Sequence, residues 1–340
     1  MNDLLIGLLS AAIATNPPAA LSNLVKQRTG VSVGVARSND PVEQAYQKLM
    51  EDDDAAQAEV DAWILERQKS GQKETDVEQA AFRARVKRRF DPVIQAYEKF
   101  VEAHPEHAKA RLAYGSFLND IGEEESGEAQ WEKARELDPK NPAAWNNLAN
   151  FNGHRGDVKK AFGYYEKAIE LDPNEPVYFQ NFATTVFLFR KDAREHYHIT
   201  EQEVFAKAME LYRKAVALDP ENFSMVAELA QTYYGIILPK GDDPAVRRQA
   251  ELKLADEALA AWRAASKLAR NEAEREGINL HFARWQINSD RLAEAHKSLD
   301  AVTNEMWLRS KAALVKKLEN REAGARKTND VPAALAPAKP

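Results

Sequence analysis

The chain of 340 residues has seven histidines and no cysteine, which narrows the chemistry open to it. Without thiols there is no disulfide scaffold, no cysteine-ligated zinc, no iron–sulfur cluster and no thiol nucleophile. The densest group of potential ligands is His196-Tyr197-His198, with Glu195 and Glu201 close by. A metal there needs third and fourth ligands from elsewhere. On a helix, residues i and i+2 point apart, so the two imidazoles could share an ion only in extended chain. The spacing fits no ligand template, and two polar loop residues are the simpler reading. His104 and His107 flank a proline at a helix end, where imidazoles interact well with the last carbonyls. The acidic runs Glu51-Asp52-Asp53-Asp54 and Glu123-Glu124-Glu125 lack the alternation and the sixth-position glycine of a calcium loop. They read as solvated faces or helix N-termini. Arg83, Arg85, Lys87, Arg88 and Arg89 could meet phosphate, but they interleave with the apolar stripe Phe82, Val86 and Phe90. That pattern is a solvated helix face. The basic stretch Lys316, Lys317, Arg321, Arg326 and Lys327 is discounted similarly. There is no Gly-x-Ser-x-Gly, no phosphate-cradling glycine loop and no His-Glu-x-x-His. The expectation is a non-enzymatic protein, with no catalytic residue, metal or cofactor assigned.

The elements that would position any site come from the bulk of the chain. It is 44% hydrophobic and 29% charged, enough to bury a sizeable core. Net charge is −6, so nucleic-acid binding would need a local basic patch and is not expected. No stretch runs 18 residues without polar interruption, so no transmembrane span is expected.

Four segments repeat: YEKFVEAHPEH (97–107), WEKARELDPKN (131–141), YEKAIELDPNE (165–175) and YRKAVALDPEN (212–222). Tyr97, Trp131, Tyr165 and Tyr212 keep register with Pro105, Pro139, Pro173 and Pro220. The cleanest unit is 142–175. Trp145, Leu148 and Ala149 belong to a first helix, Gly156-Asp157 makes the turn, and Ala161, Tyr165 and Ala168 share one face of a second helix. Asp172-Pro173 ends it. This unit resembles the tetratricopeptide repeat, a helix–turn–helix of 34 residues. It departs from that pattern at Asn152, where an aromatic is usual. The unit before it departs with Arg111 and Gly127.

The resemblance implies an all-α, right-handed helical solenoid of about six helical pairs over residues 75–309. The units fall near 75–107, 108–141, 142–175, 176–222, 223–272 and 276–309. Residues 191–203 and 237–252 are insertions. Asp91-Pro92 reads as an N-cap and first-turn proline separating two helices. Residues 39–74 form a helical extension, with helix over 41–68. Residues 1–38 hold an apolar segment, LLIGLLSAAIA, with no basic residue before Lys26, which makes a poor secretory signal. Cytoplasmic location is the corresponding expectation, with export or membrane association through residues 1–24 left open. Residues 310–340 read as a helix end followed, from about Ala323, by an unfolded Ala/Pro/Lys tail.

In this family the first helices line a concave groove. The matching positions here are Asn146, Asn147, Asn150 and His154 in one unit. Gln180, Asn181, Thr184 and Phe187 follow in the next, and Glu228, Gln231 and Tyr234 in the one after. Asn147 and Asn181 lie one repeat apart, and each amide offers both a donor and an acceptor to an extended peptide. The carboxylate clamp of chaperone cochaperones is not matched: its places hold Leu112, Ser116, Val177 and Asn181. The resemblance implies a protein or peptide partner held in the groove. Two other classes stay open: self-assembly or membrane tethering through Leu4, Leu5, Leu8 and Leu9, and an enzyme or metal protein using the inserted loops.

Overall fold

The computed structural model describes residues 39–70, 75–238 and 243–329, and these are all-α, with no strand among them. The apolar segment 1–38 and residues 330–340 lie outside the described residues, as do the self-assembly and signal readings that rest on them. The helices fall into two compact units that divide between Leu218 and Asp219.

The first unit holds α1 (Pro41–Ser70), α2 (Asp76–Ala103), α3 (Ala108–Asp120), α4 (Glu124–Leu137), α5 (Pro142–Arg155), α6 (Val158–Leu171), α7 (Pro176–Leu188), α8 (Arg190–Tyr197) and α9 (Glu201–Leu218). α3 packs on α4, α5 on α6 and α7 on α9. Local chemistry sets the boundaries. The Asn141 side chain accepts from the Ala143 amide at 3.0 Å with Pro142 in the first turn. Gly156 leaves α5 at φ 95°, and Asp157 caps α6 through the Lys160 amide at 3.3 Å. Ala149, Ala161 and Ala168 are fully buried where helices approach closely, and Tyr165 fills the space beside them.

Two expectations change here. Asp91-Pro92 does not separate two helices: α2 runs unbroken with Pro92 inside it. A proline there lacks the donor for the Arg88 carbonyl and costs about 3 kcal/mol. Val93, Tyr97 and Phe100 are buried on the same face, and their packing offsets that loss. The insertion at 191–203 is not a loop either. It is mostly helix α8, ended by His198 in the left-handed region at φ 54°. Thr200 and Glu203 then start α9 by exchanging hydrogen bonds, Thr200 N to Glu203 Oε2 at 2.7 Å and Glu203 N to Thr200 Oγ1 at 3.3 Å.

The second unit holds α10 (Phe223–Thr232), a 3₁₀ turn (Tyr233–Gly235), α11 (Pro244–Leu268), α12 (Glu272–Asn288), α13 (Leu292–Asp300), a 3₁₀ turn (Glu305–Trp307) and α14 (Leu308–Asn329). Much of the 237–252 insertion is thus an N-terminal lengthening of α11. α14 continues through Ala323 to Asn329, further than its Ala- and Lys-rich composition suggested. Leu314 and Leu318 of α14 bury against Leu280, Ile287 and Leu299, which anchors the helix. Buried Glu276 accepts from the Thr303 and Asn304 amides at 3.0 and 2.8 Å and so fixes the loop before α14.

Candidate functional site

The groove positions of the first unit sit on α5 and α7, and the structure divides them into two sets. Asn146 and Asn147 are buried. Asn181 Nδ2 donates to Asn146 Oδ1 at 3.1 Å, Asn146 Nδ2 to Asn147 Oδ1 at 3.4 Å, and Asn147 Nδ2 to Ser116 Oγ at 3.3 Å. The amides expected to meet a ligand therefore form an internal polar seam from α7 through α5 to α3. The reason is positional: α5 lies against both α3 and α7, so a side chain leaving it sideways meets a neighbouring helix before it meets solvent. An amide, being both donor and acceptor, can pass the bond along.

Asn150, Gln180, Asn181, Thr184 and Phe187 remain half-buried, and His154 is exposed at the end of α5. Asn150 Oδ1 accepts from the Tyr165 hydroxyl at 2.6 Å, which leaves the Asn150 amide N–H groups pointing away from that bond. Asn181 is the converse, since its Nδ2 is used while its side-chain Oδ1 makes no hydrogen bond among the described residues; its main-chain carbonyl accepts from Thr185 Oγ1 at 2.9 Å. Thr184 Oγ1 lies 2.7 Å from the Tyr212 hydroxyl. Phe187 packs edge-on to Phe205 at 5.8 Å, with the Arg190 guanidinium over both rings.

Sequence reasoning placed Asn150 and Thr184 in the groove and Ser116 at a clamp position, but missed what the three share. Each faces the large aromatic of its second helix: Trp131 Nε1 donates to Ser116 Oγ at 3.4 Å, and Tyr165 and Tyr212 meet Asn150 and Thr184. The signal was present, since the three residues are small, polar and spaced at the repeat length.

With this pairing repeated, the comparison with known proteins is direct. The family model of the tetratricopeptide repeat matches residues 142–175. Residues 142–175 are thus matched as one tetratricopeptide repeat. No curated protein sequence matches it. Among solved structures it is similar to PilF of Pseudomonas aeruginosa, at 16% identity and a TM-score of 0.50 over 84% of this chain and 100% of that one. YrrB, described as a TPR protein with an unusual peptide-binding site, is 17% identical with a TM-score of 0.46 over 64% of this chain and 99% of that one. At 16% identity the likeness to PilF is one of fold.

In the second unit of this repeat protein, Glu228 accepts from the Ser224 hydroxyl at 3.0 Å, and Gln231 is half-buried. Tyr234 does not stand free as an anchor. Its hydroxyl lies 2.9 Å from His281 Nδ1, its ring stacks on Trp285 at 5.0 Å, and burial pushes its phenol well above the usual tyrosine range. His196 and His198 do not converge. His196 rides on α8 with its ring against Phe162 at 5.3 Å, while His198 forms the left-handed cap. Among the described residues no three His, Cys, Asp or Glu side chains group to hold a metal ion. No described helix is long and apolar enough to cross a membrane.

Proposed function

We propose that the chain is a non-enzymatic scaffold that binds an extended segment of a partner protein across α5 and α7. The observation that carries this reading is the pair Asn150 and Asn181. Both are half-buried and held by internal bonds, and they leave a donor on one amide and an acceptor on the other. An extended backbone offers the complementary carbonyl and N–H whatever its sequence. Two such bonds net only about 1 kcal/mol each, so an apolar anchor must add affinity. Phe187 and the exposed Leu188 at the end of α7 supply one. That YrrB is described as having a peptide-binding site agrees with this class of role.

The test is a selection of displayed unstructured peptides on the full chain. It is repeated on Asn150→Ala with Asn181→Ala, after circular dichroism shows unchanged helicity. Selected peptides are expected to lose about tenfold or more in affinity for the double variant. Equal binding to both proteins removes the amide pair from the site.

A further inference from the structure

The second unit contains a cavity of about 530 Å³ between α11, α12 and α14. Its floor is apolar and well packed: Ala255, Trp285 and Ile287 are buried, and Leu254 adjoins them. Its mouth carries Arg248, Lys317 and Arg321. Such a mixture suits a ligand that is charged at one end and apolar at the other.

The charges at the mouth do not balance. Arg248 and Arg321 share the Asp290 carboxylate, with Arg321 Nε at 2.6 Å, and Arg248 also reaches Glu251 at 3.2 Å. Arg247 reaches the same Glu251 at 3.2 Å, so three guanidinium groups share two carboxylates. Lys317 has no such partner. Its ammonium donates to Asn288 Oδ1 at 2.7 Å, and no carboxylate lies within ion-pair distance among the described residues. Arg284, one turn before Asn288 on α12, also has no carboxylate partner among them and lies over the Tyr234 ring. Burial, with Arg284 and Arg321 nearby, holds Lys317 below the usual lysine range. In a chain of net charge −6, a lysine without a counter-ion at the mouth, with the Arg284 charge nearby and an apolar floor beneath, forms a site complementary to an anion.

We infer that this cavity docks an acidic peptide segment, with one carboxylate on Lys317 and an adjoining apolar side chain over Trp285. The cavity holds a few side chains at most, so the recognised unit is short. Arg248, Arg321 and Asp290 form a braced rim that keeps the mouth open without ligand. The site is separate from the amide pair of the first unit, and its ligand does not depend on that reading.

The experiment uses the full chain and a fluorescein-labelled capped peptide, Asp-Leu-Glu-Trp-Leu-Glu, beside its analogue with every acid replaced by the amide. Fluorescence polarisation is expected to show the acidic peptide binding about tenfold tighter or more. Lys317→Gln is expected to abolish that preference, and so is Asn320→Asp, which sets a negative charge at the mouth. Neither side chain supports the core, so helicity serves as the control. Lysine side-chain NMR should show the Lys317 titration moving upward when the acidic peptide saturates the protein. Equal binding of the two peptides, or binding indifferent to both substitutions, overturns the inference. A matching Lys317 shift with inorganic phosphate, and no added effect of peptide, overturns it in favour of a small free anion. Asn150→Ala with Asn181→Ala should leave this binding unchanged.

Discussion

The Tyr165 hydroxyl donates to Asn150 Oδ1 at 2.6 Å, joining the two helices of one repeat from inside their interface. The same cross-helix bond recurs from Trp131 to Ser116 and between Tyr212 and Thr184. The partners are 15, 15 and 28 residues apart, so the insertion that becomes α8 loops out of the third pair without disturbing its seam. The next second-helix aromatic, Trp262, breaks the pattern. Its indole N–H is buried without a partner, and its ring stacks on His281 at 3.8 Å.

Tyr165→Phe tests whether that bond stabilises the pair. The substitution keeps the ring and deletes a hydroxyl that donates to Asn150 and accepts from Thr185 Oγ1 at 3.1 Å, so a loss of about 1–2 kcal/mol is expected in urea unfolding. Asn150→Ala combined with it should cost less than the sum of the two single changes, by about 1 kcal/mol of coupling. Full additivity in that cycle shows that the bond contributes nothing net.

Two glycines on the same helical hairpins should respond in opposite directions to alanine. A Cβ on Gly115 would sit 2.5 Å from Trp131 Cδ1 and 2.9 Å from the Gly127 carbonyl oxygen, inside both van der Waals radii. Gly115→Ala is expected to destabilise by about 1–3 kcal/mol, because the indole is itself wedged in the interface. A Cβ on Gly163, in the middle of α6, meets nothing within 4 Å. Gly163→Ala should stabilise by about 0.5–1 kcal/mol through helix propensity and unfolded-state entropy. Thermal unfolding of both variants checks the pair, and a stable Gly115→Ala protein would show that Trp131 can swing aside.

The contrast shows what the sequence could and could not reveal. Tyr165, Ala161 and Ala168 declare the repeat because size at fixed spacing is a one-dimensional signal. Asn146 and Asn147 do not declare their fate, because burial depends on which helix lies alongside, and only the stack of α3, α5 and α7 decides that. Pro92 misled for a similar reason: local propensity argues for a break, and the buried Val93, Tyr97 and Phe100 override it. The cavity near Lys317 showed in the sequence only as part of the basic stretch Lys316, Lys317 and Arg321, which reads as a solvated face. Its residues come from three helices, and the lack of a counter-ion is visible only once Asp290 is seen to be taken by Arg248 and Arg321.

Asp53 gives the first unit an acid-dependent stability. The side chain is buried in α1 and accepts from the Tyr97 hydroxyl at 2.6 Å and from Gln57 at 2.7 Å. Burial outweighs those two bonds and raises its pKa from 3.8 to about 6. The fold therefore prefers the neutral acid. Its stabilisation is complete below the ordinary carboxylate range and is lost as the pH rises through about 6. Between about pH 4.5 and 7 the loss should reach on the order of 2 kcal/mol. Asp53→Asn keeps an acceptor for Tyr97 and should flatten that slope while raising stability at neutral pH. An unchanged slope in the variant would assign the effect to another carboxyl.

His281 gives the second unit the opposite dependence. Its ring is fully buried against Trp262, Nδ1 faces the Tyr234 hydroxyl, and Nε2 has no partner. Burial, reinforced by Arg284, lowers its pKa from 6.5 to about 3, so the fold prefers the neutral imidazole. That stability is complete above the ordinary histidine range and is lost progressively as pH falls toward the folded value. By about pH 4.5 it should amount to some 2–3 kcal/mol, while Asp53 is gaining stability over the same interval. Amide hydrogen exchange at two pH values, corrected for intrinsic rates, should therefore show protection rising in α1 and α2 on acidification and falling in α11 and α12. His281→Gln should remove the second trend and leave the first. Parallel changes in both units would mean that neither group governs its surroundings, and that overall charge sets the response to acid.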